Sequence, residues 1–259
     1  MRRIETDGLV YYQFEMWAEK PIKHGIFTRL GGVSPAPWGT LNLGGTVGDS
    51  PAAVAENHRR MYDTLGVNRQ RICTVWQVHS ADTVIAYEPA PNRKWLDRAD
   101  GMVTAQKDTP LAMRFADCVP LLYYDPTHSV IGLSHAGWRG TLSGAQISVV
   151  ETMQDAFGCR PEDIQVGIGP SIGPDHFQVG EEVVAAFEEA YGSLNGLLQR
   201  AEDGSAYLDL WEANRRKLIE AGVEQIEVAA ICTASNIDEF FSHRAEKGRT
   251  GRFGAVISL

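Results

Sequence analysis

Two histidines and one cysteine close short apolar segments of this 259-residue chain. His79 ends Val75-Trp-Gln-Val-His79, Cys118 lies in Phe115-Ala-Asp-Cys-Val-Pro120, and His135 lies in Leu133-Ser-His-Ala-Gly-Trp-Arg-Gly140. Two imidazoles and a thiolate suit Zn²⁺ at about 2.0–2.3 Å, and three protein ligands leave a fourth tetrahedral position open for water or substrate, the mark of a catalytic site. The positions are 39 and 17 residues apart and form no C-x-x-C or H-E-x-x-H signature, so spacing alone does not prove a metal centre. The same residues read as two satisfied core histidines and a small buried thiol. They also read as a nucleophile with its base, Cys118 with a histidine, as in cysteine hydrolases. A metal would make the thiolate a ligand, whereas a nucleophile needs it free. Asp117 points to the opposite face of a regular strand, which predicts a structural hydrogen bond.

Arginines form a second constellation: Arg29 in Phe27-Thr-Arg-Leu-Gly-Gly-Val-Ser34, Arg139, and Arg244, Arg249 and Arg252 near the C-terminus. Surface solvation is the usual explanation for an arginine. Arg139 goes beyond it, because it precedes a helix start whose free N–H groups favour an anion, with Gly137 and Gly140 permitting close approach. A phosphate or carboxylate is the natural guest, with Arg29 or a tail arginine opposite. Trp76, Trp138 and Phe177 are rings able to stack on a planar base, although aromatics near strand ends are more often core. No nucleotide-cofactor fingerprint is present.

The elements that must position these residues are legible in outline. Ser50-Pro51 starts a helix as N-cap and first position, and Gly66 stops it. Strands are expected over 72–78, 83–87, 101–104, 111–115, 119–124 and 130–134, then a helix over 141–157 and a strand over 164–168. That β-α-β unit predicts parallel strands. Helices over 181–191 and 209–221 and a strand over 226–232 complete the set, and the glycine-rich stretch 22–49 reads as an ordered loop. Hairpins mixed with crossovers predict an α+β fold, one domain over 1–259, with mixed β-sheets flanked by helices.

Composition excludes several classes. The chain is 44% hydrophobic, enough for a sizeable core. Its 24 Lys and Arg against 33 Asp and Glu leave a net charge of −9, which argues against general nucleic-acid binding. The longest apolar run, Cys118 to Tyr124, is far short of the about 20 residues that span a bilayer. No signal core follows the Met-Arg-Arg opening, so no membrane association and a cytoplasmic location are expected. The cysteines Cys73, Cys118, Cys159 and Cys232 read as reduced thiols.

The chain resembles the YfiH-like proteins, once described as laccase-domain or polyphenol oxidoreductase proteins and later as purine nucleoside phosphorylases. The markers span nearly the whole sequence: Thr28-Arg-x-Gly-Gly-Val-Ser34, Asn42-Leu43-Gly44, Gln77-Val-His79, Ala99-Asp-Gly-Met-Val-Thr104, Ala116-Asp-Cys-Val-Pro120, His135-Ala-Gly-Trp-Arg-Gly140, Gly169-Pro170 with Ile172-Gly173, Cys232-Thr233, Phe240-Phe-Ser-x-Arg244 and Thr250-Gly-Arg252. His243 stands where the family often has Tyr. The resemblance implies one zinc per chain on His79, Cys118 and His135. It implies phosphorolysis of adenosine, inosine, guanosine and 5′-methylthioadenosine to free base and ribose 1-phosphate, with some adenosine deaminase activity. Arg29, Asn42, Gln77, Asp100, Arg139, Arg244 and Arg252 are the expected residues around substrate and phosphate, in a monomer or homodimer. The implied fold is likened to cysteine-hydrolase-like toxin domains. Seven histidines are too few for a multicopper cluster beside a three-ligand site, whereas a single copper with Met113 or Met102 as axial ligand stays open. A non-catalytic partner-binding domain would show neither metal nor turnover.

Overall fold

A computed structural model describes residues 1–89 and 95–259. In chain order the strands are Arg2–Thr6 (β1), Leu9–Gln13 (β2), Lys23–Phe27 (β3), Thr83–Ile85 (β4), Gly101–Thr104 (β5), Leu111–Phe115 (β6), Val119–Asp125 (β7), Val130–Ala136 (β8), Gln165–Ile168 (β9), Gln178–Val179 (β10), Leu198–Arg200 (β11), Ala206–Leu208 (β12), Gln225–Val228 (β13) and Phe253–Ser258 (β14). The helices are Pro51–Leu65 (α1), Trp138–Ser143 (α2), Ala145–Phe157 (α3), Glu181–Tyr191 (α4) and Leu210–Glu220 (α5).

Three sheets result. One is antiparallel in the order β1-β2-β3-β14-β6, one is mixed in the order β13-β9-β7-β8-β5-β4, and a small one runs β10-β12-β11. The alternation of side chains along each strand sorts the core into layers. Leu111, Met113 and Phe115 of β6 and Phe253, Ala255 and Ile257 of β14 meet Leu122 and Tyr124 of β7 and Ile131 and Leu133 of β8 between the two large sheets. The intervening Ala112 and Val256 face Met61, Tyr62 and Leu65 of α1. Val119, Leu121 and Tyr123 of β7 face Val149 and Met153 of α3 on the other side. The stack is therefore α1, sheet, sheet, helices. Both faces of β7 and β8 are covered, so they read as continuous apolar runs.

The α+β architecture with mixed sheets agrees with the sequence. Several boundaries do not. The strand expected over 72–78 does not form, because its backbone changes partner midway: the Cys73 amide donates to Pro110 and the Trp76 amide to Asp97. The helix expected over 141–157 is two, α2 and α3, divided at Gly144 with φ 88°. They join β8 to β9, which lie parallel on either side of β7 instead of side by side. The 22–49 stretch begins with β3 and is otherwise irregular. Ser50 occupies the N-cap of α1 without a side-chain cap bond, and its own amide donates to Asp49 Oδ1. Gly66 does terminate α1 in the left-handed region.

Two histidines, His24 on β3 and His58 on α1, make hydrogen bonds to the backbone as neutral rings. The Phe14 amide donates to His24 Nε2 at 2.9 Å, and His58 Nε2 lies 3.0 Å from the Leu43 carbonyl. Burial holds both imidazoles down at about 4, against about 6.5 in an unfolded chain. Unfolding takes up protons between these values, so this contribution is complete above about pH 6.5 and is lost as pH falls toward 4. At about 1.4 kcal/mol per pKa unit the loss is several kcal/mol. Urea midpoints should therefore fall between pH 7.5 and pH 4.5, and fall less in a His58→Gln protein. Equal falls in the two proteins would remove His58 from this account.

Candidate active site

The β6–β7 corner passes from one large sheet to the other in three residues, Ala116, Asp117 and Cys118. Asp117 makes the turn at φ 80°. Its Oδ1 accepts from Thr233 Oγ1 at 2.7 Å, its Oδ2 from the Arg244 amide at 2.6 Å, and its carbonyl from the Ile172 amide at 2.9 Å. The structural role expected of Asp117 thus has a purpose: it ties the loops that bear Ile172 and Arg244 to the corner that bears Cys118. Cys118 then meets His135, which sits on β8 opposite Pro120.

The donor atoms of His79, Cys118 and His135 all lie within 4.8 Å of one another, with Cys118 Sγ 3.9 Å from His79 Nε2. The imidazole rings of His79 and His135 meet edge to face at 5.0 Å. Asp100 organises both. Its Oδ1 is 2.7 Å from His135 Nδ1, which leaves Nε2 as the donor toward the site. Its Oδ2 accepts from the amides of Val78 and Ser80, at 3.0 and 2.7 Å, which flank His79 and hold it at φ 64°. Asp100 is fully buried and outside the cavity wall. The sequence reading placed it at substrate or phosphate; as a carboxylate engaged with His135 and two amides, it is a positioning residue for two of the three ligands.

Burial opposes charge at this corner and is overcome. The imidazoles of His135 and His79 draw the Cys118 thiol down to about 6. The Cys118 and Asp100 charges raise His135 against burial, and His135 in turn lowers Asp100. A lowered thiol, an imidazole with Nδ1 engaged by a carboxylate, and a second imidazole fit a zinc ion bonded at about 2.0–2.3 Å once the donors draw in by about an ångström. Glycine at 137 makes the room: a Cβ there would lie 2.9 Å from Cys118 Sγ and 3.1 Å from His79 Cδ2.

The ligands open onto a cavity of about 820 Å³. Gln77, Arg244 and Arg252 line it, with Trp76 and Phe177. The Gln77 side chain pairs with the Arg114 backbone like an extra strand residue, donating to its carbonyl at 2.8 Å and accepting from its amide at 3.1 Å. Asn42 is fully buried and works from behind: Oδ1 accepts from the amides of Arg252 and Gly44, at 2.8 and 2.9 Å. Arg244 and Arg252 each donate Nη1 to backbone carbonyls, which fixes the guanidinium planes and leaves other N–H groups for a ligand.

Two arginines of the sequence reading lie elsewhere. Arg139 is the second residue of α2, exposed, with its guanidinium 4.2 Å from the Trp138 ring centre and outside the cavity wall. Arg29 also lies off the wall, donating to the Gly39 and Ile237 carbonyls, pairing with Glu246 and covering Phe241. It braces the tail loop instead of facing an anion. Arg249 and Trp138 likewise do not line the cavity. The wall residues not singled out from the sequence are Gly45, Thr46, Trp95 and Arg114. Arg114 had a signal, being the one charge in the apolar strand Leu111-Ala-Met-Arg-Phe115.

An Asp100→Asn protein should bind the metal about 10–100-fold more weakly, the usual cost of losing a carboxylate behind a ligating histidine. One amide oxygen cannot serve His135 and the Val78 and Ser80 amides together. Zinc affinity by chelator competition checks this, and an unchanged value would leave Asp100 with a purely structural role.

Fold and corner together define an α+β protein with a His-Cys-His donor set at the junction of two sheets. Residues 23–259 match the family described as multi-copper polyphenol oxidoreductase laccase. The chain is 40% identical over 238 residues to a purine nucleoside phosphorylase of Deinococcus radiodurans, covering 92% of this chain and 89% of that one. It is 36% identical over 236 residues to the purine nucleoside phosphorylase YfiH of Escherichia coli, covering 90% and 91%. The crystal structure of YlmD from Geobacillus stearothermophilus superposes with a TM-score of 0.90 at 34% identity, covering 98% of this chain and 97% of that one. The chain belongs to this family, the YfiH-like proteins.

Proposed function

We propose that this protein is a zinc-dependent purine nucleoside phosphorylase, with residues 1–259 acting as one catalytic domain. The observation that carries the reading is the cavity in which a His₂Cys donor set shares the wall with three arginines, Arg114, Arg244 and Arg252. The names of the relatives support it. The substrates are adenosine, inosine, guanosine and 5′-methylthioadenosine, cleaved with phosphate to free base and ribose 1-phosphate. Deamination of adenosine is a side activity.

Glycosidic cleavage builds positive charge at the sugar C1′ and negative charge on the leaving purine. Arg244 and Arg252 hold phosphate with a fork of N–H donors, their planes set by the carbonyls of residues 176, 178, 250 and 251. Trp76 and Phe177 flank the base on the cavity wall. Zinc bound by His79, Cys118 and His135 would supply a Lewis acid or an activated water at the purine. Phosphorolysis needs the arginines and deamination does not. Zinc fits better than copper, since Met102 and Met113 are buried between the sheets and neither lines the cavity. The Cys118 thiol beside the His135 and His79 imidazoles also fits a metal-free cysteine hydrolase, which would keep its activity after chelation.

The test incubates zinc-loaded protein with adenosine, with and without phosphate, and separates the products by chromatography. Adenine and ribose 1-phosphate that require phosphate are expected, with inosine appearing in its absence. Adenine formed without phosphate would mean hydrolysis. No purine product together with copper-dependent oxygen uptake would return the protein to the oxidase class.

A further inference from the structure

β7 carries chemistry at both ends. Cys118 precedes its first residue, and Asp125 closes it seven positions later, about 23 Å away at about 3.3 Å per residue. At that far end Asp125, His128 and Cys159 bring one carboxylate oxygen, one imidazole nitrogen and one thiol sulfur within 4.8 Å of one another. The three come from two separate turns. Asp125 and His128 belong to the β7–β8 hairpin, whose last loop residue, Ser129, has φ 53°. Cys159 follows Gly158, the left-handed C-cap of α3, and its amide donates to the Met153 carbonyl at 3.2 Å.

We propose that Asp125, His128 and Cys159 form a second metal site, for a divalent cation of zinc type, that staples the β7–β8 hairpin to the C-terminus of α3.

The preparation of the donors supports this. Asp125 Oδ1 accepts from the amides of Thr127 and His128, at 2.7 and 3.0 Å, so the carboxylate is fixed before any ion arrives. Its Oδ2 faces His128 Nδ1 at 2.9 Å. Asp125 is fully buried and Cys159 nearly so, while His128 is about one-third exposed, which gives an ion both a dry floor and a water-facing fourth position. Oxygen, nitrogen and sulfur donors in one set select zinc or cobalt over magnesium or calcium, which want oxygen alone. Binding would release the Cys159 thiol proton to solvent and leave the thiolate on the ion. Its role is structural, because the cavity does not reach it.

The probe is Co²⁺ titrated into metal-free protein, read by equilibrium dialysis and by thiolate-to-cobalt charge-transfer absorption. Wild type should saturate at two ions per chain and a His128→Ala protein at one. In a Cys118→Ser protein, which lacks the first site's thiolate, charge-transfer absorption should persist, and a further Cys159→Ser or His128→Ala change should abolish it. His128 is on the surface, so its replacement tests the site even if Cys159→Ser fails to fold. Zn²⁺ should raise the melting temperature of the Cys118→Ser protein and not that of Cys118→Ser with His128→Ala. One ion per chain in both wild type and His128→Ala, or no charge-transfer absorption in Cys118→Ser, would overturn the proposal. Neither result bears on phosphorolysis, which stands or falls on the first site.

Discussion

A Cys118→Ser protein should lose most of its zinc at the His79, Cys118 and His135 site and its phosphorylase activity with it. The expected loss of affinity is at least about 100-fold, because removing a ligand costs more than the about 10–100-fold of removing a carboxylate behind one. Serine keeps the size of the side chain but not the thiolate, which the two imidazoles already hold near 6 before any ion binds. The hydroxyl would have to lose its proton for the same role, at a far higher cost. Elemental analysis of protein purified without added metal, paired with phosphorolysis of adenosine, checks both halves. The count should be read at the His79 corner, by comparing Cys118→Ser with His79→Ala, since metal at Asp125 would remain. Full occupancy of the corner in both variants would end the metal assignment, and turnover by metal-free wild type would favour the cysteine hydrolase.

The second large effect is expected from the tail arginines. Arg252→Lys and Arg244→Lys should each raise the KM for phosphate by about 10–100-fold, the equivalent of one charge-assisted hydrogen bond of about 1.5–3 kcal/mol. Lysine retains the charge but loses the planar fork, and it cannot hold both a backbone carbonyl and a phosphate oxygen in fixed directions. Arg252 and Arg244 are anchored alike, each through two backbone carbonyls and through an amide held by a buried side chain, Asn42 for Arg252 and Asp117 for Arg244, so the two replacements should cost about the same. Deamination, which uses no phosphate, should persist in both. Arg139→Lys is the control, since Arg139 stacks on Trp138 away from the cavity. A phosphate KM that shifts with Arg139 and not with the tail arginines would reverse the assignment of the anion site.

The sequence by itself singled out the candidate metal ligands, the larger helices and the strands of the central sheet. His79, Cys118 and His135 stand out as residue types able to ligate a metal at the ends of apolar runs, and α1, α4 and α5 because their apolar spacing and end signals are local properties. It also held signals that pass easily unread, such as Asp7-Gly8 turning the β1–β2 hairpin with both residues at positive φ. Tertiary structure decided what spacing cannot encode. In a linear chain Arg139 reads as the better anion ligand; only the pairing of β14 between β3 and β6 brings Arg252 to the cavity wall beside Cys118, while Arg139, at the start of α2, lies on Trp138 away from that wall. Asp100 looked like a substrate contact until the β5–β8 ladder put it under His135. The physical reason is common to all three. Local geometry and burial preference are written within a few residues of each position, whereas the partner of a polar side chain is fixed by which strands become neighbours, and those lie up to the whole chain apart.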